Sequence, residues 1–218
     1  MTSFGTADLK KMFDAIAAAI EADKDRLCQL DGVIGDADHG IAMALGFNAA
    51  RDAVAALDAA TVEPATLLNT AAKSFLNAVG ASSGPLYATA FMRGAAAVKG
   101  KATLAASDVI AMFQAMAQGI KDRGKAEPGE KTMVDAWQPA AEAATAAHGA
   151  GKDLAESLGI AFAAAERGAE ATKDMIATKG RSSRLGERSL GYIDPGAASA
   201  VLVIGAIRSS LAGYHRPR

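Results

Sequence analysis

The chain has 218 residues, with 23 Lys and Arg against 24 Asp and Glu and one cysteine. This length suits one large domain with a sizeable core, and we expect residues 1–218 to form it. The balanced charge excludes a general field that would attract nucleic acid or an anionic membrane, so we expect neither as a partner. The single cysteine, Cys28, excludes an internal disulfide and favours a reducing compartment. We predict that it fills the core.

The N-terminal residues lack the basic start and the apolar run of a signal peptide. The longest apolar run, at 197–207, is well short of the ~18 residues that favour a membrane span. We therefore expect a soluble, cytoplasmic protein.

Roughly a quarter of the residues are alanine, and strand-forming residues are sparse, which predicts an all-α fold. Breaking the chain at glycine and proline clusters predicts eight helices, over 6–30, 40–58, 64–79, 84–99, 105–122, 132–148, 153–178 and 195–214. Apolar residues in the first helix have the spacing of one buried face: Leu9, Met12, Phe13, Ile16 and Ile20. Pro64 and Pro195 stand where first-turn prolines are expected. Pro139 predicts a kink or a split in the sixth helix.

The connections between these helices differ in chemistry. Short connections favour antiparallel neighbours, so alternate connections should lie at the same end of a bundle. Connections one, three, five and seven are polar and rich in glycine: 35–40, 80–85, 123–132 and 179–194. The others, at 60–63, 100–103 and 149–153, are typical of ordinary turns. The sequence therefore predicts a single-domain antiparallel eight-helix bundle or barrel with a binding site at one end.

The first connection carries Asp36 and Asp38, with Asp31 just upstream, so three carboxylates lie in and beside a short turn bracketed by glycines. Carboxylates this close repel one another unless a cation lies between them. Magnesium prefers such oxygen ligands, so we predict a metal site. The alternative is that Asp36 or Asp38 caps the following helix and Asp31 is an ordinary surface residue. An EF-hand is disfavoured because its further oxygen ligands and terminal Glu are missing. No paired His or Cys spacing supports zinc.

The third connection, 80–84, matches the G-x-S-x-G pattern of hydrolases. That motif needs a strand before the serine, and a helix is predicted there, so a serine hydrolase is disfavoured. Ser82, Ser83 and the amides that open the next helix suit phosphate binding. A plain helix-helix turn is the alternative.

The fifth connection is close to a Walker A sequence, with Gly124-x4-Gly129 followed by Glu130-Lys131-Thr132. The inserted Glu130 breaks the spacing and no strand precedes the loop, which excludes a P-loop. A nucleotide-contacting loop and a solvated charged turn both remain open.

The seventh connection carries Arg181, Arg184 and Arg188. A connection this long is a lid, a binding loop or disordered. Arginines near an acidic metal site fit a polyphosphate between them, because metal and guanidinium both neutralise oxygen charge. A solvated basic loop is the alternative.

These segments, in this order, resemble a known family. The chain is similar to the nucleotide-binding L subunits of dihydroxyacetone kinases (DhaL) at 30–40, 83–86, 123–129, 131–133, 185–189 and 194–197. The resemblance implies an eight-helix barrel that binds ADP or ATP at one end. It also implies that Asp31, Asp36 and Asp38 hold two Mg²⁺ ions that bridge the nucleotide phosphates.

The resemblance further implies the residues of the nucleotide pocket: His39, Gly40, Ile41, Ser82, Ser83, Gly124, Met133, Arg181, Asp194, Pro195 and Gly196. Arg181 and the three aspartates form the catalytic set, since phosphoryl transfer needs chiefly alignment and charge neutralisation. The chain departs from the family at Ala42, where some relatives have asparagine, and at Ala81-Ser82, which replaces Gly-Ala. No side-chain contact is therefore assigned to position 42.

The family implies a partner, a K-type subunit that holds dihydroxyacetone on a histidine and receives the γ-phosphoryl group. In one version an M-type phosphohistidine phosphocarrier of the phosphotransferase system recharges a bound nucleotide. In the other, ATP exchanges freely. The phosphoryl source, the ketose and the oligomeric state stay open, with a homodimer as one alternative.

Two other functions remain open: a nucleotide-sensing regulatory module, and a kinase of another small polyol or ketose, such as a triose or tetrose. The length argues against an independent kinase, because a helical bundle of 218 residues leaves no room for a second, substrate-holding domain.

Overall fold

The computed structural model of the chain describes residues 3–80 and 82–212. That part of the chain is helical: α1 (Thr6–Ala22), α2 (Lys24–Ile34), α3 (His39–Ala55), α4 (Pro64–Ala78), α5 (Ser83–Ala97), α6 (Ala106–Gly124), α7 (Val134–Gly149), α8 (Leu154–Ala171) and α9 (Pro195–Ala212). Two 3₁₀ segments, Thr172–Asp174 and Arg181–Ser189, follow α8. The only strand-like pairing within the described ranges is an isolated bridge between Phe4 and Leu104. The predicted all-α fold is confirmed.

Eight of the helices form a closed ring. From α3 to α9 each helix packs against the next, and α1 packs against both α3 and α9. Most of these packed neighbours are joined by short connections, which favours an antiparallel arrangement. The eight-helix barrel is therefore confirmed, with α2 as an addition that packs against α1, α3 and α9. None of the helices described is both long and apolar enough to cross a bilayer.

The prediction of one continuous first helix over 6–30 is wrong, because this stretch forms two helices, α1 and α2. The chain leaves the helical conformation at Asp23, with φ −108° and ψ 8°, and resumes as α2. No glycine or proline marks this break. Its consequence is that α2 leaves the ring and ends beside the start of α3, so that Asp31 in the last turn of α2 reaches the first residues of α3.

Other boundaries also differ from the predictions. Helix α8 ends at Ala171, before the predicted 178, and the chain continues through a 3₁₀ turn. The predicted split at Pro139 is wrong, because α7 is unbroken. The missing N–H of Pro139 leaves the Asp135 carbonyl without its helical donor, and Gly168 packs there: a Cβ at Gly168 would lie 1.9 Å from that oxygen. Residue 214, the predicted end of the last helix, lies outside the described residues.

The ring encloses one hydrophobic core. The predicted apolar face of α1 is fully buried, and so is Trp137. Phe47 stands among the core aromatic rings, 4.9 Å from Phe75 and 5.2 Å from Tyr87 between ring centroids, in the edge-to-face range that favours aromatic pairs. The prediction that Cys28 fills the core is wrong, since this residue on α2 is only half-buried.

Candidate functional site

The four polar connections meet at one end of the ring, around a cavity of about 430 Å³. All four contribute to its wall, whereas the described ordinary turns at 60–63, 100–103 and 149–153 do not. Most of the predicted site residues line it: Asp31, Asp36, Asp38, His39, Ser82, Ser83, Gly124, Met133, Arg181, Asp194, Pro195 and Gly196. The antiparallel order of the helices therefore gathers residues that are far apart in sequence.

Asp31 organises the acidic turn. It lies in the last turn of α2, is only 9% exposed, and accepts the backbone N–H of Asp38 at 2.9 Å and of His39 at 3.2 Å. Asp38 precedes α3, but its own side chain makes no capping hydrogen bond. The capping alternative is therefore wrong as stated, because the carboxylate that satisfies the first amides of α3 belongs to Asp31. This leaves the Asp38 carboxylate free to face the cavity.

The backbone of the acidic turn is tightly constrained. A Cβ added to Gly35 would lie 2.0 Å from the Oδ1 atom of Asp31, so only glycine fits beside that carboxylate. Ala37 has φ 63°, in the left-handed region that costs an L-residue about 1 kcal/mol or more. Backbone outliers of this kind concentrate at functional sites.

The three carboxylates are close enough to share a cation. One oxygen each from Asp31, Asp36 and Asp38 lie within 4.8 Å of one another. The guanidinium of Arg181 contacts Asp36 and lies 3.5 Å from Asp38 Oδ2. Hard carboxylate oxygens in such a cluster fit Mg²⁺, and the neighbouring guanidinium adds positive charge beside them.

His39 reaches from the start of α3 to α9. Its Nε2 atom lies 2.9 Å from the hydroxyl of Ser199, and that hydroxyl donates to the carbonyl of Gly196 at 3.0 Å. A hydroxyl has one proton, so the ring donates from Nε2 and Ser199 accepts. Burial lowers the pKa of His39, opposed by the charge of Asp31.

Asp194 closes the opposite wall at the start of α9. Its Oδ2 atom accepts the N–H of Ala197 at 2.8 Å. Burial raises the pKa of Asp194 to about 7, while the N–H groups of Ala197 and Gly196 and the charge of Lys131 act in the opposite direction. A Cβ at Gly196 would lie 2.9 Å from that carboxylate oxygen, so the glycine makes room for the cap.

Lys131 is the main site residue that the sequence reasoning did not select. Its side chain is almost fully buried, lines the cavity, and donates to the carbonyls of Thr172 and Tyr192. Burial lowers the pKa of this ammonium, opposed by nearby carboxylates, Asp194 first. The signal was present in the near-Walker sequence, but a lysine in a polar connection is typical of an exposed side chain. Ser199 was missed as well, although a serine within the apolar run 197–207 was visible.

Two predicted pocket residues lie outside the cavity wall. Gly40 packs α3 against α2, since an added Cβ would lie 2.0 Å from the carbonyl of Lys24. Ile41 is 51% exposed and faces an outer groove between the same two helices. Ala42, the position at which the chain departs from the family, does line the cavity. Ala81 lies outside the described residues.

The comparison with known proteins decides the family. The model of the DAK2 domain matches residues 33–209. The chain belongs to the DAK2 domain family. Its members include separate subunits: the ADP-binding subunit DhaL of a PEP-dependent dihydroxyacetone kinase from Escherichia coli is 38% identical over 182 residues, covering 84% of this chain and 86% of that protein.

Other relatives of the chain include a second separate subunit and a longer kinase. The ADP-binding subunit DhaL of a PEP-dependent dihydroxyacetone kinase 1 from Listeria innocua is 39% identical, covering 86% of this chain and 88% of the relative. An L-erythrulose kinase from Pectobacterium atrosepticum is 30% identical, and the match covers 94% of this chain but 36% of that protein. The predicted resemblance to DhaL subunits is confirmed.

A solved structure supports the fold of this family. The crystal structure of the dihydroxyacetone kinase from C. freundii in complex with AMP-PNP and Mg²⁺ superposes with a TM-score of 0.72 and 25% identity. The match covers 94% of this chain and 34% of that one. The relatives are thus kinases, either as separate ADP-binding subunits or as longer chains.

Proposed function

We propose that this chain is the phosphoryl-donor subunit of a dihydroxyacetone kinase. It binds ADP or ATP in the cavity and passes the γ-phosphoryl group to dihydroxyacetone held on a separate K-type subunit. The observation that carries the proposal is the meeting of Asp36 and Asp38 with Arg181, which come from connections 143 residues apart, on one rim of the cavity. Clustered carboxylates beside a guanidinium suit a metal-bound polyphosphate.

Asp31, Asp36 and Asp38 are the residues that would hold two Mg²⁺ ions. Their oxygens have the hard-donor chemistry and the mutual distance for this role. When bound, the metal supplies charge neutralisation for the β- and γ-phosphates. Asp31 would share in this site while its Oδ2 atom also accepts two backbone N–H groups.

The remaining residues bind and orient the nucleotide. Ser82 and Ser83 lie at the start of α5, where hydroxyls and free amides attract phosphate. Arg181 adds positive charge at the acidic rim. His39, Gly124, Met133 and 194–196 line the rest of the pocket. We include Gly40 and Ile41 in the proposal as residues next to the site, and Gly40 lets α3 pack closely against α2.

The higher-identity relatives described above support a subunit rather than an independent kinase. They are separate ADP-binding subunits of PEP-dependent kinases, at 38% and 39% identity. Their names also favour recharging of a bound nucleotide by a phosphohistidine phosphocarrier. On this proposal the chain works in the cytoplasm as one domain, 1–218, with the K-type and M-type subunits as its partners. A homodimer stays an open alternative.

A second function has its own support. The L-erythrulose kinase matches at 30% identity, and a D-erythrulose kinase from Mycolicibacterium smegmatis at 33%, over 91% of this chain and 34% of that protein. These names favour an ATP-dependent ketose kinase whose nucleotide exchanges.

One experiment separates these functions. The purified chain is incubated with ATP, Mg²⁺ and dihydroxyacetone or erythrulose, alone and with the K-type subunit of the E. coli relative. Transfer that requires the added subunit supports the proposal, and transfer by the chain alone overturns it. Nucleotide binding without transfer under either condition supports a regulatory module instead. ADP that survives extensive dialysis favours the recharged nucleotide, whereas rapid loss favours exchange.

A further inference from the structure

Glu130, the insertion that breaks the Walker A spacing, and the adjacent Lys131 both contact the same neighbouring segment. That neighbour is the arginine segment, defined here as residues 172–194, which carries Arg181. The segment leaves α8, forms two 3₁₀ turns, and returns to start α9. The inference below rests on the proposed function, in which Arg181 faces the phosphates.

Glu130 holds the arginine segment close to Arg181. Its backbone carbonyl accepts the N–H of Thr178 at 3.4 Å, and its Oε1 atom accepts the hydroxyl of Thr178 at 3.1 Å. The same Oε1 lies 3.5 Å from the ammonium of Lys179. The other oxygen, Oε2, accepts the N–H of Glu127 at 2.7 Å. One carboxylate therefore joins its own loop to the arginine segment, three residues before Arg181.

Lys131 holds the base of the segment. Its buried ammonium donates to the carbonyls of Thr172 and Tyr192, near the two ends of the segment. The hydroxyl of Thr172 accepts the N–H of Asp194 at 2.9 Å, which closes the base a second time. The path of the chain into and out of the segment is thus fixed by adjacent residues of one loop.

Arg181 itself depends on this attachment. Its side chain is 54% exposed and forms ion pairs with the carboxylates of Asp36 and Asp38. An exposed arginine ordered by surface ion pairs alone gains little, because such pairs contribute about 0–1 kcal/mol. Its position is therefore set by the backbone that precedes it.

We propose that Glu130 is a positioning residue for Arg181, holding Thr178 and Lys179 so that the guanidinium meets the phosphate end of the cavity. Lys131 fixes the base from which this segment extends. On this inference, Glu130, whose insertion excludes a P-loop, is also the residue that positions Arg181.

The test compares variants that break the contact from either side. Glu130→Ala removes every side-chain contact, Thr178→Val removes only the hydroxyl, and Glu130→Gln keeps an acceptor oxygen. The matched control is Glu127→Ala, which removes a carboxylate from the same loop that pairs with Lys121 and not with the arginine segment. Two quantities are measured on the full chain: the rate of trypsin cleavage after Lys179 and Arg181, and the dissociation constant of Mg-ADP by calorimetry.

Losing charged hydrogen bonds worth about 1.5 kcal/mol changes an equilibrium constant roughly tenfold. We therefore expect Glu130→Ala to raise both the cleavage rate and the Mg-ADP dissociation constant about tenfold, with Thr178→Val and Glu130→Gln intermediate. The control variant should resemble the unmodified chain. In an Arg181→Ala background, Glu130→Ala should weaken Mg-ADP binding no further, because the route through Arg181 is already lost.

Unchanged cleavage in Glu130→Ala overturns the inference whatever the kinase assay shows. So does a loss of Mg-ADP affinity that persists undiminished in the Arg181→Ala background. If the chain fails to transfer phosphoryl groups in the presence of the K-type subunit, the proposed function is overturned instead. The rate of trypsin cleavage still tests whether Glu130 holds the arginine segment.

Discussion

The carboxylate of Asp31 accepts the backbone N–H of Asp38 at 2.9 Å. A residue at the end of α2 thereby caps α3, and Asp38 keeps its own carboxylate for the cavity. Asp31 and Asp38 thus have different roles in the acidic turn. Asp31 is buried and has a structural role through its hydrogen bonds to α3, whereas Asp36 and Asp38 are about half exposed.

Asp38→Asn, and equally Asp36→Asn, should abolish phosphoryl transfer and leave the fold intact. Each substitution removes a charged oxygen donor from the proposed metal site without touching the core. We expect the free energy of unfolding to change by about 0.5 kcal/mol or less. Transfer is measured with the K-type subunit and stability by urea unfolding. Full transfer in either variant would contradict the metal-site assignment.

Asp31→Ala should cost stability as well as activity. The variant leaves the N–H groups of Asp38 and His39 without their acceptor, and loss of a helix cap costs about 1–2 kcal/mol. Asp36→Ala is the control, because its side chain caps no helix in the structure. Equal unfolding free energies for the two variants, measured in urea without magnesium, would argue against the structural role of Asp31.

Lys131→Met should destabilise the chain strongly. It removes the donor of two carbonyls, those of Thr172 and Tyr192, from a buried position. An unpaired buried acceptor costs about 1–3 kcal/mol, so we expect a loss of about 3 kcal/mol. The matched control is Lys125→Met, at an exposed lysine of the same loop, with a change of about 0.5 kcal/mol or less. Similar urea midpoints for both variants would show that Lys131 does not hold the segment.

Asp194 should make stability depend on pH near neutrality. Its folded pKa of about 7 lies above the ordinary value of 3.8, so the folded state binds the proton more tightly than the unfolded state. The stabilisation of the folded state by this proton is complete below pH 3.8 and is lost as pH rises through 7. Between pH 4.5 and 7.5 the chain should lose about 3 kcal/mol relative to Asp194→Asn, which does not titrate.

The measurement for Asp194 is the difference in unfolding free energy between the chain and this variant across that pH range. Subtraction removes the contribution of the other titrating groups as long as they do not couple to position 194. A constant difference would mean that the carboxylate ionises at its ordinary pKa in the folded chain.

The sequence alone determined the features that depend on local chemistry. Alanine content and the apolar spacing from Leu9 to Ile20 predict helices, because helix hydrogen bonds and side-chain faces are set within a few residues. The spacing of Asp31, Asp36 and Asp38 predicted the carboxylate cluster for the same reason. The order of polar and ordinary connections predicted which end of the barrel carries the site.

Only the tertiary structure decided the features that join distant residues. The break at Asp23, the burial of Lys131 and the pairing of His39 with Ser199, 160 residues apart, have no local signature. Each depends on the closed ring, because a buried polar group adopts its position from partners that the ring brings to it. The sequence thus determined which chemistry the site contains, and ring closure determined which residues hold that chemistry in place.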